Sequence, residues 1–227
     1  MIPIDRPSPN FDARSLPVSM IVVHYTGMQS AAAAIERLAN PAAKVSAHWV
    51  VAEDGQVVRM VDEANRAWHA GQSFWRGITD VNSASVGIEI VNPGHEFGYR
   101  PFPAEQMASV EVLVAAAARR FNVASANVVG HSDIAPARKA DPGELFDWSR
   151  LADAGLAMAV PGDGFDPGWT ETGTIMALAR YGYDVADPTA AIIAFQRRFR
   201  PARFDGALDA ETRRILRGVL LAGAVGL

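Results

Sequence analysis

Two histidines and one aspartate have the residue types and positions that a catalytic zinc site requires. His24 and His131 each end a short apolar run that is typical of a buried strand, and Asp141 precedes a Pro-Gly turn. Two neutral imidazoles and one carboxylate make a three-ligand zinc set that leaves a fourth position for water. Such an open site supports hydrolysis, whereas a structural zinc is usually closed by four protein ligands.

The spacing of these residues leaves two interpretations open. A single histidine at a strand end is more often a hydrogen-bonded structural residue than a metal ligand. His131 and Asp141 are nevertheless ten residues apart on a loop that contains Pro136, and this loop could return Asp141 to His131. Asp133 is a rival third ligand. Because it is only two residues from His131, however, it is more naturally a turn-forming residue or a hydrogen-bond acceptor. We favour Asp141, and both a zinc site and structural histidines stay open on spacing alone.

The elements around these residues predict an α/β fold with a mixed central sheet flanked by helices. In chain order we expect a strand over 18–24, a helix over 31–39, a hairpin of strands 45–52 and 56–61, a strand over 86–91, a helix from Pro103 and a strand over 127–130. Ligand sites in open α/β sheets collect beyond the carboxyl ends of the strands. His24 and His131 could therefore meet despite 107 residues of separation.

The last third of the chain predicts a small C-terminal three-helix bundle. A Pro/Gly-rich linker over 161–170 separates a catalytic domain over 1–160 from a domain over 171–227. We expect the first helix over 172–181, and we expect Asp187 and Asp209 to cap the second and third. The predicted buried faces are Ile192, Phe195 and Phe199 on the second helix, and Ile215, Leu216, Val219 and Leu220 on the third. A bundle of about 55 residues is marginal alone and should dock on the first domain.

Composition excludes several functional classes. The chain has 227 residues and a net charge of −4, which gives no basic surface for nucleic acid. It has no cysteine, so a bound metal must rely on histidine and carboxylate ligands. We expect no membrane span, because the apolar stretch over 218–227 is too short for one. No secretory signal opens the chain as given, so a cytoplasmic location is expected, with a periplasmic location as the alternative if the native N-terminus is longer. The oligomeric state is not predicted.

Glu89 and Lys139 are candidates for the chemistry at such a metal. Glu89 stands in a strand whose two faces both look apolar, and desolvation would raise its pKa toward the range of a general base. The alternative is a strand-edge glutamate paired with an arginine. Lys139 precedes Asp141 by two residues and could stabilise an oxyanion, although a solvated loop lysine has the same pattern. His48 is interpreted as structural, and His95 is unassigned.

Together these residues resemble the zinc-dependent N-acetylmuramoyl-L-alanine amidases, which share a fold with peptidoglycan recognition proteins and a phage lysozyme. The likeness runs from about Ile2 to Leu151, in blocks around His24 and over 46–55, 67–71, 85–90 and 130–143. The resemblance implies one zinc ion on His24, His131 and Asp141. It also implies that Glu89 activates the attacking water and that Lys139 stabilises the tetrahedral intermediate.

Further positions extend the resemblance. His69 and Arg138 match residues that lie near the substrate in the family. In the phage lysozyme branch a tyrosine precedes the residue matching His48, and Ala47 stands there in this chain. This difference puts the chain with the subgroup that relies on the glutamate. The segment over 194–212 resembles the core of a three-helix peptidoglycan-binding domain.

The implied activity is hydrolysis of the amide between N-acetylmuramic acid and the L-alanine of the stem peptide. Small 1,6-anhydro-muropeptides returned during wall recycling are the favoured substrates, with polymeric peptidoglycan as the alternative. One rival function is a non-catalytic peptidoglycan-binding protein on the same fold. In recognition proteins that only bind, zinc ligands have been lost, whereas this chain keeps all three. A second rival is a zinc peptidase that cuts within the stem peptide.

Overall fold

The computed structural model of the protein describes residues 2–162 and 164–224. The strands in these ranges are β1 Ile4–Asp5, β2 Phe11–Ala13, β3 Met20–Tyr25, β4 Trp49–Val51, β5 Val57–Arg59, β6 Asn65–Ala67, β7 Ser85–Ile90 and β8 Val128–Gly130. The α-helices are α1 Ala31–Ala39, α2 Val81–Ala84, α3 Gly94–Phe97, α4 Ala104–Phe121, α5 His131–Ile134, α6 Trp148–Asp153, α7 Glu171–Tyr181, α8 Pro188–Phe199 and α9 Ala210–Ala224. In this part of the chain, no helix is both long and apolar enough to span a bilayer.

Six strands form a mixed sheet in the order β1-β5-β4-β7-β3-β8, and β2 pairs with β6 in a separate ribbon. The central strands β4, β7, β3 and β8 all run parallel, while β5 is antiparallel to β4. The carboxyl ends of the parallel strands therefore share one edge. At this edge His24 lies in register with Glu89 on the neighbouring strand, and His131 directly follows β8.

Apolar residues on both faces of β3, and on the face of β7 that lies toward α4, explain why these strands lie at the centre. Ile21, Val23, Val86 and Ile88 contact one helix face of α4, and Met20 and Val22 belong to a second core on the other side of the sheet. Continuous apolar runs of this kind are typical of parallel strands that are covered on both faces. The face of α4 that packs against the sheet is buried at Met107, Val110, Val114 and Ala117.

The mixed α/β fold is confirmed, and the boundaries differ mainly at the hairpin. The first hairpin strand begins at Trp49 rather than Val45, because backbone groups before Trp49 bond to other segments. Ser46 N donates to the Trp68 carbonyl, and the Val45 carbonyl accepts a hydrogen bond from Asn10 Nδ2 at 2.9 Å. The sequence analysis also missed the short strands β1, β2 and β6 and the short helices α2, α3, α5 and α6.

The three C-terminal helices lie where the capping residues and apolar periodicity predict them. Asp187 accepts a hydrogen bond from Ala190 N at 3.0 Å, and Asp209 accepts one from Thr212 N at 2.9 Å. Each bond satisfies a backbone donor that the first helical turn would otherwise leave free. The predicted faces of α8 and α9 are buried except at Leu220, which is half-buried.

The C-terminal helices share a hydrophobic core with the sheet. Met20 and Val129 from the sheet belong to the same buried cluster as Leu178, Phe195 and Leu216 from the three helices. The bundle therefore docks on the first part of the chain. The division into 1–160, 161–170 and 171–227 stays a prediction, and a continuous core crosses the proposed boundary.

A buried ion pair fastens α8 to the turn that follows β8. Arg198 Nη1 donates to Asp133 Oδ2 at 2.8 Å, and Arg198 Nη2 donates to the Val128 carbonyl at 2.8 Å. The guanidinium lies 3.9 Å from the centre of the Trp148 ring, and Tyr183 Oη donates to Asp133 Oδ1 at 2.5 Å. Asp133 is thus bonded within the protein, which explains why it is not the third member of the metal-ligand cluster.

Candidate metal centre and active site

His24, His131 and Asp141 converge at the carboxyl edge of the sheet. His24 Nδ1 lies 2.9 Å from His131 Nδ1 and 3.2 Å from Asp141 Oδ2, and His131 Nδ1 lies 3.1 Å from the same oxygen. All three side chains are buried, with exposures of 1%, 4% and 5%. Among the residues that the structure describes, only this group presents three such ligand atoms to one point.

The geometry of this cluster fits a tetrahedral zinc ion. Zinc–ligand bonds of about 2.0–2.1 Å place neighbouring ligand atoms about 3.3 Å apart in a tetrahedral site. The three observed separations lie within a few tenths of an ångström of that value. Two imidazole nitrogens and a carboxylate oxygen this close to one another are stabilised when a cation lies between them.

The charge states of the cluster also suit a metal. Burial, reinforced by the charge of His131, lowers the pKa of His24 to about 4, so the imidazole is neutral at pH 7. Burial alone would raise the pKa of Asp141, but the neighbouring His131 and His24 outweigh this effect and hold the pKa well below its usual range. Neutral imidazole and ionised carboxylate are the forms that bind metal ions.

Glu89 lies beside the cluster on β7 and is half-buried. Its Oε2 atom is shielded from solvent and has no hydrogen-bond partner among the described residues. Burial, and then the negative charge of Asp141, raise the pKa of Glu89 well above its usual range. Within the described ranges no arginine pairs with this carboxylate, which argues against the strand-edge alternative. A carboxyl group with a free oxygen and a raised pKa is suited to proton transfer.

A cleft of about 580 Å³ opens over these residues. Its lining includes six of the seven residues that the sequence analysis singled out, namely His69, Glu89, His131, Arg138, Lys139 and Asp141. His24, the seventh, reaches the same centre through its contacts with His131 and Asp141. The half-buried Lys139 side chain has no carboxylate partner within 4.0 Å in the described part of the chain.

His69 and Arg138 line the cleft, but their polar atoms already have partners in the protein. Arg138 Nη2 donates to the carbonyls of Ala70 and Gln72 at 2.8 and 2.7 Å. His69 Nδ1 lies 3.0 Å from His24 Nε2, and its Nε2 lies 3.3 Å from Ser85 Oγ. Contact of His69 and Arg138 with a substrate stays a prediction.

The remaining histidines occupy different environments. His48 is fully buried, its Nδ1 accepts a hydrogen bond from Gly87 N at 2.9 Å, and burial lowers its pKa to about 3. It therefore acts as a neutral structural residue. His95 lies at the rim, where it bonds to Tyr25 Oη and to Glu144 at 3.0 Å each.

Sequence reasoning missed several residues of the cleft wall. Tyr25 and Arg37 line the cleft, and His95 is bonded to Tyr25 at its rim. The position of Tyr25, directly after His24, is a signal that could have identified it. Arg37 stands in the last turn of α1, where an arginine is ordinary, so its spacing carries no such signal.

Comparison with known proteins gives consistent matches. The family described as N-acetylmuramoyl-L-alanine amidase matches residues 14–144. The chain is 33% identical over 234 residues to the N-acetylmuramoyl-L-alanine amidase AmiD of Escherichia coli strain K12, covering 89% of this chain and 82% of that protein.

Solved structures agree over most of the chain. The complex of E. coli AmiD with the substrate anhydro-N-acetylmuramic acid-L-Ala-D-γ-Glu-L-Lys matches with a TM-score of 0.81 and 32% identity, covering 93% of this chain and 92% of that one. AmpDh3 of Pseudomonas aeruginosa, in complex with an anhydromuramic pentapeptide, matches with a TM-score of 0.82 and 32% identity, covering 88% and 90%. The family resemblance and the enzyme class predicted from the sequence are confirmed. This chain belongs to the N-acetylmuramoyl-L-alanine amidase family.

Proposed function

We propose that the protein is a zinc hydrolase that cleaves the amide between 1,6-anhydro-N-acetylmuramic acid and the L-alanine of a stem peptide. The observation that carries the proposal is the convergence of His24, His131 and Asp141 beside Glu89, whose Oε2 has no hydrogen-bond partner in the described part of the chain. The substrate form is supported by the two similar enzymes, whose structures hold anhydromuropeptides. The cytoplasmic location expected from the sequence stays a prediction.

His24, His131 and Asp141 would hold the zinc ion through Nδ1, Nδ1 and Oδ2. When bound there, zinc supplies a Lewis acid that polarises the scissile carbonyl and acidifies the attacking water. Glu89 lies next to His24 and takes the proton from that water. The same carboxyl then delivers the proton to the leaving amine, which is the group released with the peptide.

Removing the metal should abolish the activity. Treatment of the whole chain with a chelator should stop release of the L-alanine peptide from anhydro-muropeptide, and added zinc should restore it. Metal content and mass spectrometry of the products are the measurements. Hydrolysis that continues at its normal rate after the zinc has been removed would refute the proposal.

The same product analysis separates the two rival functions. A wall-binding protein would retain the muropeptide without releasing peptide, and a peptidase would yield a sugar that still carries L-alanine. The three retained ligands favour catalysis over binding alone. A parallel assay on intact sacculi distinguishes soluble fragments from polymeric peptidoglycan as the substrate.

Lys139 is assigned to the oxyanion. Its ammonium is unpaired by carboxylates in the described ranges and lines the cleft two residues from Asp141. Lys139→Ala should lower kcat by about 100-fold or more, because a positioned charge on a developing oxyanion is lost. Zinc content should be unchanged.

The charge-conserving variant Lys139→Arg is the control and should recover part of the rate. The measurements are kcat on a soluble anhydro-muropeptide and zinc content of the purified variants. Near-normal turnover by Lys139→Ala would show that the oxyanion is stabilised by another group.

A further inference from the structure

We propose that His69 is a positioning residue for the metal centre, because its hydrogen bond fixes His24 in the tautomer that presents Nδ1 to zinc. The inference rests on the proposed zinc-dependent function and concerns the outer side of the ligand. His69 and Ala70 form a short turn, called the 69–70 turn below. Among the three proposed ligands, only His24 contacts a side chain of this turn, through its Nε2 atom.

The Ser85 hydroxyl determines the direction of the hydrogen bonds that link Ser85, His69 and His24. Ser85 Oγ lies 2.6 Å from the Val81 carbonyl, which can only accept, so the hydroxyl donates its hydrogen there. Ser85 Oγ can then only accept from His69 Nε2, at 3.3 Å. A neutral imidazole with its hydrogen on Nε2 has a free lone pair on Nδ1.

That lone pair sets the state of His24. His69 Nδ1 accepts a hydrogen bond from His24 Nε2 at 3.0 Å, so the hydrogen of the His24 ring is on Nε2. The lone pair of His24 Nδ1 is therefore directed to the point shared with His131 Nδ1 and Asp141 Oδ2. The outer hydrogen bond of a metal-bound histidine fixes its tautomer and ring orientation and increases its basicity.

The position of the His69 ring is enforced by its surroundings. His69 is 8% exposed, and its ring lies over Gly87 of β7. A Cβ at position 87 would come within 2.4 Å of the ring, so the ring fits only because this residue is glycine. The backbone is fixed as well, since Asn82 Oδ1 accepts from His69 N at 2.9 Å and from Ala70 N at 2.7 Å.

The same turn supports the second histidine through its backbone. The Ala70 carbonyl accepts a hydrogen bond from His131 Nε2 at 3.0 Å, which again leaves Nδ1 free for the metal. One short turn thus orients both imidazole ligands. Only the His24 bond depends on a side chain, so only that bond can be removed by substitution.

A positioning role for His69 can be distinguished from a substrate-binding role. Both ring nitrogens of His69 are used within the protein, by His24 and Ser85, so neither is left to bind a substrate. A positioning role predicts weaker zinc binding with little change in KM once zinc is saturating. A substrate contact predicts a raised KM with unchanged zinc affinity.

The test measures zinc affinity of the whole chain by chelator competition. His69→Phe keeps the ring volume but removes the acceptor, and it should weaken zinc binding by about 10–100-fold. His69→Asn places an oxygen near the position of Nδ1 and should recover much of the affinity. His95→Phe, which removes a rim histidine bonded to Tyr25 and Glu144, should leave zinc affinity unchanged.

Nitrogen-15 NMR of the histidine rings gives a second measurement, independent of turnover. His24 should have its hydrogen on Nε2 in the wild-type protein with or without zinc, and should populate both tautomers in metal-free His69→Phe. If that variant does not fold, Ser85→Ala keeps the ring in place and should weaken zinc binding less strongly. The inference is overturned if every folded variant binds zinc as tightly as the wild type, or if only KM rises. Absence of zinc binding by the wild type would instead refute the proposed function.

Discussion

Glu89→Gln should lower kcat by about 10²–10⁴-fold, which is the usual contribution of a positioned general acid or base. The substitution keeps the size of the side chain and removes its ability to exchange a proton. Glu89 is not part of the metal cluster, so zinc content should be retained. Rates on an anhydro-muropeptide and zinc content of the purified variant are the measurements.

The control is Glu36→Gln on the exposed surface of α1, which makes the same chemical change and should leave kcat within about twofold. Because burial and Asp141 raise the pKa of Glu89, its carboxyl can hold a proton for the leaving amine. A Glu89→Gln variant that turns over at a near-normal rate would show that another group transfers the proton.

The position of the candidate site could be predicted because it follows from strand direction. His24 and His131 each stand at the carboxyl end of an apolar run, and parallel strands bring such ends to one edge. Glu89 lies in register with His24, so its position follows from the same topology. The identity of the third ligand depended on whether the loop after α5 returns, which spacing alone left open.

The role of His69 could not be predicted in the same way. Its contact with His24 requires that Gly87, on a different strand, leave room for the ring. The hydrogen of the ring is placed by Ser85, which the sequence analysis assigned no role. A tautomer depends on several weak contacts between distant segments, and no periodicity in the sequence records them.

The ion-pair partner of Asp133 could not be predicted from the sequence for a related reason. Arg198 follows the helical pattern of α8, where a charged residue is expected on the solvent side, yet its side chain is 3% exposed. It is buried because α8 docks against the turn after β8, where the Asp133 carboxylate and the Val128 carbonyl accept its hydrogen bonds. The Arg198–Asp133 pair can be identified only when the positions of α8 and of the turn after β8 relative to each other are known.

Arg198→Met should destabilise the protein by about 3–5 kcal/mol, the usual result of removing one partner of a buried ion pair. Methionine keeps much of the packing against Trp148 but leaves the Asp133 charge without its cation. The double variant Arg198→Met with Asp133→Asn should recover much of the loss. Arg203→Met, which breaks exposed pairs with Asp205 and Asp209, should leave the free energy of unfolding close to that of the wild type. The free energies of unfolding are measured by urea denaturation of the wild type, the two single variants and the double variant.

The same variant decides whether the C-terminal helices brace the metal centre or act as a separate module. Asp133 Oδ2 also accepts a hydrogen bond from Gly130 N at 2.8 Å, directly before the proposed ligand His131. Loss of Arg198 should therefore loosen the turn that carries His131, and zinc affinity and global stability should fall together in one unfolding transition. A separate module would instead unfold in its own earlier transition, with zinc affinity of the remaining fold unchanged. The core shared by Val129 and Phe195 favours the first outcome, because neither segment can withdraw without exposing apolar surface of the other.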